Sequence, residues 1–166
     1  MRVARQGRQE AKGAKGKEAR SGEKRRTKDE KRPLPWPRLL AAARRARARA
    51  YAPYSRFAVG AALLADDGTI FAGTNVENAS FGLTICAERS AVVAAVAAGR
   101  RRFLALALVA GRGEPASPCG ACRQVLYEFA PDLPIRMASA DGRTRDMRLS
   151  DLLPLGFAHK DLVRTR

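Results

Sequence analysis

The chain has 166 residues, a length that suits one folded domain. Its residues are 46% hydrophobic and 29% charged, and its formal net charge is +16 at pH 7. No stretch approaches the roughly 20 consecutive apolar residues of a membrane span, and the N-terminus lacks the apolar segment of a signal peptide. We therefore expect a cytoplasmic protein without membrane-spanning segments.

Much of the positive charge lies near the N-terminus. Residues 1–32 contain 13 Lys or Arg against 5 Asp or Glu, and Met1 and Val3 are their only large apolar side chains. So little apolar surface cannot offset the entropy lost on ordering, and residues 1–35 are predicted to form a disordered basic tail. Such a tail could bind nucleic acid only unspecifically through phosphate charge, because residues 1–32 have no aromatic side chain for base stacking.

The remainder, residues 36–166, is predicted to form a single domain. It opens with an Ala- and Arg-rich helix, continues with two strands joined as a hairpin, and then has a helix that is apolar nearly all round. These elements are predicted over Leu39–Ala50, Phe57–Ala65, Thr69–Thr74 and Cys86–Ala98. A helix without a polar face is typical of one buried against a sheet.

A continuous apolar run over Phe103–Ala110 predicts a central strand that is covered on both faces. The next helix is predicted over Cys119–Phe129, with Pro118 suited to its first position and Ser117 as a cap. Two closing strands are predicted over Pro134–Ala138 and Thr144–Leu149. The order indicates an α/β domain with a mixed five-stranded sheet between helices, a three-layer α/β/α architecture.

Three cysteines are the candidate metal ligands. Cys119 and Cys122 lie three residues apart at a helix start, so their thiols face the same way, and the free N–H groups there favour thiolates. Cys86 also opens a helix and can supply a third ligand. Three protein ligands plus water are typical of catalytic zinc, whereas structural zinc sites normally have four protein ligands. The sole histidine, His159, is expected to be a surface residue.

Glu88 lies two residues after Cys86, in the first turn of the same helix. Zinc lowers the pKa of a bound water, and a carboxylate beside that water can take its proton and pass it to a substrate nitrogen. Arg89 and Arg123 stand next to the cysteine motifs and are candidates to donate hydrogen bonds to thiolate sulfur. For Arg123, an exposed surface cation is an equal alternative.

The combination of Cys-x-Glu, an intervening strand and Pro-Cys-x-x-Cys resembles the small, homotetrameric cytidine deaminases. The resemblance extends over residues 36–161 and is carried by two blocks, NVENASFGLTICAER (75–89) and SPCGACRQ (117–124). It implies a zinc cofactor and the hydrolytic deamination of cytidine and deoxycytidine to uridine and deoxyuridine, as in pyrimidine salvage. It also implies that Glu88 protonates N3 of the pyrimidine and later the departing amine.

The same resemblance implies a nucleoside pocket. Its substrate-binding residues would be Phe57, Asn75, Glu77, Phe81, Ala87 and Phe157. Asn75 and Glu77 would bind the ribose hydroxyls, and Phe57 would pack against the base. Two polar side chains at a strand end suit a sugar, and a role as turn residues is the alternative for Asn75 and Glu77. The positions of Phe81 and Phe157 imply that these side chains reach the pocket of a neighbouring subunit in a homotetramer.

Two other classes of function remain open. A deaminase of another aminated substrate, such as a nucleoside antibiotic or a base within a nucleic acid, would share the zinc site but need a different sugar pocket. Asn75 and Glu77 favour a free nucleoside. A non-catalytic module that binds zinc or nucleic acid would use the basic tail and would not need Glu88.

Overall fold

The computed structural model describes residues 33–162, so residues 1–32 of the predicted tail lie outside it. The helices are α1 (Trp36–Arg47), α2 (Ala87–Ala97), α3 (Gly120–Phe129), α4 (Leu149–Leu152) and α5 (His159–Leu162), with a short 3-10 turn at Phe81–Leu83. The strands are β1 (Val59–Ala65), β2 (Ile70–Thr74), β3 (Phe103–Ala110), β4 (Pro134–Ser139) and β5 (Thr144–Arg148). None of the helices in this part of the chain is long and apolar enough to cross a membrane.

The five strands form one mixed sheet, which confirms the predicted fold class. Their order is β2-β1-β3-β4-β5, with β3 and β4 parallel and every other neighbouring pair antiparallel. Since β2 and β3 are both antiparallel to β1, they point in the same direction and end at the same edge of the sheet. The loops that leave this edge lead directly into α2 and α3.

Alternating side chains of the central strands build a separate core on each face of the sheet. Leu63, Leu106 and Leu108 face the side that is covered by α2 and α3. Ala62, Ala105 and Ala107 face α1 on the other side, together with Leu64 and Val109. The helices therefore form two layers around the sheet, as the three-layer prediction requires.

The helix α1 begins three residues earlier than predicted. Pro35 is its N-cap, and the helix starts at Trp36. Trp36 and Leu34 are partly buried against the core beneath α1, which gives this segment apolar contacts that helix propensity alone does not reveal. Leu34, which was placed in the predicted tail, thus belongs to the packed domain.

Gly73 in β2 permits the close approach of α2 to the sheet. A Cβ atom at this position would lie 2.3 Å from the carbonyl oxygen of Ala87 and 2.4 Å from the backbone nitrogen of Ala91. Both of those atoms belong to the backbone of α2, so neither can rotate away. The glycine therefore sets the distance between β2 and the helix that carries Glu88.

We predict that Gly73→Ala destabilises the domain by roughly 1–3 kcal/mol, since the added methyl group must push α2 away from β2. Denaturant unfolding followed by far-UV circular dichroism would measure the change. Gly82→Ala is the matched control, because a Cβ atom there has no neighbour within 4 Å. Equal stability of the Gly73→Ala protein and the parent would contradict the proposed close approach.

Candidate metal centre and active site

The three cysteines come together where α2 and α3 begin. Cys86 is the N-cap of α2 and Cys119 is the N-cap of α3, while Cys122 lies in the first turn of α3. Their sulfur atoms all lie within 4.8 Å of one another, and the Sγ atoms of Cys86 and Cys119 are 3.8 Å apart. The structure therefore assembles the ligand cluster that the spacing predicted, from two helices that are separate in sequence.

The spacing and chemistry of this cluster suit zinc. Two sulfur ligands at about 2.3 Å from a tetrahedral zinc ion lie about 3.8 Å from each other. Within residues 33–162, the only group of three or more His, Cys, Asp or Glu side chains close enough to hold a metal consists of these cysteines. The sole histidine, His159, is exposed at the start of α5 and is not in that group. Three protein ligands leave one tetrahedral position for a further ligand.

The thiols of α3 differ in how readily they ionise. Burial opposes ionisation of Cys119, but hydrogen bonds from the backbone N–H and thiol of Cys122 and from the thiol of Cys86 hold its pKa below the ordinary value. Burial, followed by the negative charge of Glu88, raises the pKa of the Cys122 thiol. Cys122 is buried whereas Cys119 is exposed, so the cluster opens toward the surface on the Cys119 side.

Glu88 is buried beside the cluster. It lies in the first turn of α2 with only 4% of its surface exposed. Burial raises the pKa of the Glu88 carboxyl, although its own backbone N–H, the Cys122 thiol and the charge of Arg89 act in the opposite direction. A carboxyl with a raised pKa next to a cysteine cluster that could hold a metal is suited to carrying a proton.

Arg89 contacts the ligand cluster directly. Its Nη2 atom donates to the carbonyl oxygen of Thr84 at 2.8 Å and lies 3.6 Å from the sulfur of Cys86. The bond to Cys86 raises the pKa of the guanidinium, although burial acts against that shift. Its Nε atom is buried and has no hydrogen-bond partner among residues 33–162. The structure thus brings a cation to the Cys86 sulfur.

The hydrogen bonds of Arg123 within residues 33–162 go to oxygen atoms and not to the cysteine sulfurs. Its guanidinium donates to the carbonyl oxygens of Pro118 and Leu152, each at 2.8 Å, and to the hydroxyl of Ser117 at 2.9 Å. Arg123 therefore ties the segment before Cys119 to the end of α4. The predicted cap at Ser117 is wrong, because Cys119 is the N-cap of α3 and the Ser117 hydroxyl is an acceptor for Arg123.

Asn75 and Phe57 meet at the same edge of the sheet. Asn75 is 7% exposed; its side-chain oxygen accepts from the N–H of Val59 at 2.8 Å, and its side-chain nitrogen donates to the carbonyl of Phe57 at 2.9 Å. The Phe57 ring packs against Gly111. A Cβ atom added at Gly111 would lie 3.1 Å from the Cε2 atom of Phe57. Gly111 has a φ of +53°, so glycine is favoured there for its backbone as well.

The remaining predicted substrate-binding residues occupy different environments. Ala87 is fully buried as the first residue of α2, between Cys86 and Glu88. The rings of Phe81 and Phe157 are exposed, and Phe81 packs edge-on against Tyr54 at a centroid distance of 5.9 Å. The main-chain N–H and C=O of Phe157 pair with the Gln124 side chain. The structure therefore places Ala87 at the cluster and leaves both rings exposed.

Sequence reasoning missed Gly73, Gly111 and Ser55. The two glycines could have been suspected, since each lies within or just after a predicted strand, where glycine often marks a close approach. Ser55 lies in a Pro-containing turn and gave no separate signal. In the structure its hydroxyl hydrogen-bonds Glu77 and accepts from the N–H of Phe57 at 3.0 Å.

Comparison with known proteins places these features in a family. Residues 37–135 match the family described as the cytidine and deoxycytidylate deaminase zinc-binding region. This match includes Glu88 and all three cysteines of the cluster.

Relatives and solved structures agree with that match. A cytidine deaminase from Mycobacterium tuberculosis is 52% identical over 132 residues, covering 79% of this chain and 96% of its own length. A cytidine deaminase from Sporosarcina psychrophila is 48% identical, covering 75% and 93%. The crystal structure of cytidine deaminase from Burkholderia pseudomallei superposes with a TM-score of 0.72 at 49% identity, covering 75% of this chain and 100% of that one.

We predict that the purified protein holds about one zinc ion per chain and that Cys119→Ser loses most of it, because two thiolates cannot complete the site. Inductively coupled plasma mass spectrometry on the desalted proteins would measure zinc content. Ala121→Ser is the control, since it adds a hydroxyl between the two cysteines of α3 without removing a ligand. A Cys119→Ser protein with as much zinc as the control would contradict the assigned ligand set.

Proposed function

The chain belongs to the cytidine and deoxycytidylate deaminase family, and we infer that it catalyses the zinc-dependent hydrolytic deamination of cytidine to uridine and ammonia. The observation that carries this conclusion is the cluster of three cysteine sulfurs within 4.8 Å of one another, beside the buried carboxyl of Glu88. A structural zinc site would need a fourth protein ligand and would have no use for a buried acid. Deamination of cytidine fits the salvage of pyrimidines.

We propose that Cys86, Cys119 and Cys122 hold the zinc and that Glu88 moves the protons. When bound, zinc supplies a Lewis acid that makes water nucleophilic at neutral pH. The Glu88 carboxylate takes a proton from the attacking water and delivers it to N3 of the pyrimidine as the oxygen adds to C4. It then takes the remaining proton from the hydroxyl now attached to C4 and passes it to the 4-amino group. The C4–N bond breaks, ammonia leaves, and the C4 carbonyl of uridine forms. Burial of Glu88 supports this role, because it brings the carboxyl pKa closer to neutrality.

Arg89 is proposed to offset the charge of the ligand set. Three thiolates around a divalent cation carry a net charge of −1, which weakens the attraction of the metal for electrons of its remaining ligand. The hydrogen bond from Arg89 to the Cys86 sulfur withdraws part of that negative charge. The contact of Arg89 with the Thr84 carbonyl keeps the guanidinium in place for this purpose.

We propose that the nucleoside lies between the cluster and the loop that carries Phe57. Phe57 would pack on the base, with Asn75 and Glu77 on the ribose and Ala87 lining the pocket beside the metal. The convergence of Phe57, Asn75 and Glu77 at the edge where β2 ends supports this arrangement. Deoxycytidine is proposed as a second substrate.

A homotetramer is proposed because large apolar side chains are exposed around this edge. Phe81 is 73% exposed and Phe157 57%, and both would reach into a neighbouring subunit's pocket. Tyr54, Leu83 and Ile85 are also exposed. Exposed apolar groups of this size are usually covered by a protein partner, and a further copy of this chain is the simplest one. A cytoplasmic location is proposed, since a reducing compartment keeps the three thiols available for zinc.

The function is tested by incubating the protein with cytidine, deoxycytidine, adenosine and guanine and following the release of ammonia. We predict turnover of cytidine and deoxycytidine only. Glu88→Gln keeps the shape of the side chain but cannot shuttle protons, so it should keep zinc and lose roughly 10²–10⁴-fold in kcat.

Zinc content and thermal denaturation of Glu88→Gln serve as controls for folding. Ammonia release from adenosine or guanine instead of the cytosine nucleosides would contradict the proposed substrate. Near-parent turnover by Glu88→Gln would show that another group carries the proton.

A further inference from the structure

The loop over Ala52–Phe57 wraps around the carboxylate of Glu77. The backbone N–H groups of Tyr54 and Ser55 donate to its Oε2 atom at 2.9 and 3.2 Å, and the Ser55 hydroxyl donates to its Oε1 atom. The hydrogen bond from Ser55 and the two from the backbone hold the pKa of the Glu77 carboxyl below its ordinary value, although desolvation opposes the shift. Glu77 thus stays ionised and acts only as an acceptor.

These contacts leave little free capacity on Glu77. An ionised carboxylate has roughly four lone-pair sites, two on each oxygen. The two backbone donors fill both sites of Oε2, and the Ser55 hydroxyl fills one site of Oε1. One site on Oε1 remains, so the carboxylate can accept one further hydrogen bond from a substrate.

Ser55 joins Glu77 to the residue proposed to hold the base. Its oxygen accepts from the backbone N–H of Phe57 at 3.0 Å while its hydrogen points to Glu77. A hydroxyl that donates to one group and accepts from another has a fixed direction. The carbonyl of Phe57 in turn accepts from Asn75, so one network connects the three pocket residues.

The backbone of this loop is held in a conformation that the chain would not adopt freely. Arg56 has a φ of +56°, in the left-handed region that residues with side chains avoid, and its N–H donates to the carbonyl of Ala52 at 3.1 Å. Such a conformation persists only where surrounding contacts determine it, and it is frequent at functional sites. The hydrogen bonds of Ser55 to Phe57 within the loop and to Glu77 after β2 supply that determination.

We propose that Ser55 is a positioning residue that orients Glu77 so that its one free site, on Oε1, accepts a single hydroxyl of the ribose. This inference rests on the proposed function and assigns a determinant of its sugar specificity. Ser55 acts through Glu77 and does not itself touch the reacting atoms. Loss of the Ser55 hydroxyl would let the Glu77 carboxylate rotate. Substrate binding would then weaken, whereas the proton transfers by Glu88 would be unaffected.

The experiment compares the parent with Ser55→Ala, Ser55→Thr and a control, Thr69→Ala. Thr69 also donates its hydroxyl to an exposed carboxylate, that of Asp67 at 3.0 Å, but it lies in the turn at the opposite end of β2. Steady-state kcat and KM are measured for cytidine, 2′-deoxycytidine and 3′-deoxycytidine. Zinc content and thermal denaturation are recorded for each protein.

For cytidine, Ser55→Ala should raise KM about tenfold with kcat within about twofold, as expected for the loss of one hydrogen bond to a charged group. One of the two deoxy substrates lacks the hydroxyl that Oε1 accepts, and for that substrate Ser55→Ala and the parent should have the same KM. Ser55→Thr retains a hydroxyl and should stay within about threefold of the parent, as should Thr69→Ala.

Three results would overturn the proposal: no change in KM for cytidine, the same rise for all three substrates, or a rise in Ser55→Thr equal to that in Ser55→Ala. Parent activity on cytidine is measured first. Its absence would reject the proposed function, and this inference with it, whereas an active parent with any of these three results rejects the role of Ser55 alone.

Discussion

Two helices start at one edge of the sheet because β2 and β3 run in the same direction, and the chemistry of the protein depends on this constraint. Each helix opens with a cysteine. The Sγ atoms of Cys86 and Cys119 are therefore 3.8 Å apart, although the two residues are separated by 33 positions in the sequence. The free N–H groups of the first turns stabilise negative charge at this position. The helix start thus favours the thiolate of Cys119, whereas burial raises the pKa of Cys122, whose ionisation therefore depends on a bound cation.

Three other residues of the site, Gly73, Arg89 and Glu88, are explained by the close packing and the concentrated negative charge of this arrangement. Helix α2 must lie close to β2 to bring Cys86 to Cys119, and only a glycine at position 73 leaves room for its backbone. Concentrating three thiolates needs a compensating cation, and Arg89 reaches the Cys86 sulfur from the first turn of the same helix. Burial of Glu88 between these groups is costly for a charged carboxylate, and the raised pKa that results is the property a proton carrier needs.

The elements with strong local patterns were predictable from the sequence. The predicted strand Phe103–Ala110 has the same bounds as β3, and Cys-x-Glu with Cys-x-x-Cys predicted the cluster of three cysteines that could hold a metal. The start of α1 was missed because it depends on tertiary contacts of Trp36. The hydrogen-bond partners of Arg123 and Ser55 could not be predicted from the sequence either. Arg123 binds Leu152 and Ser55 binds Glu77, and both partners are distant in sequence.

The coordination of the metal is the central claim of this account, and X-ray absorption at the zinc K edge measures it directly. The account predicts three sulfur ligands at about 2.3 Å and one oxygen or nitrogen ligand at about 2.0 Å. This set would correspond to the three cysteines and one position open to water. A zinc ion with four sulfur ligands, or with none, would contradict the account, because the first leaves no place for water and the second places the metal away from Cys86, Cys119 and Cys122.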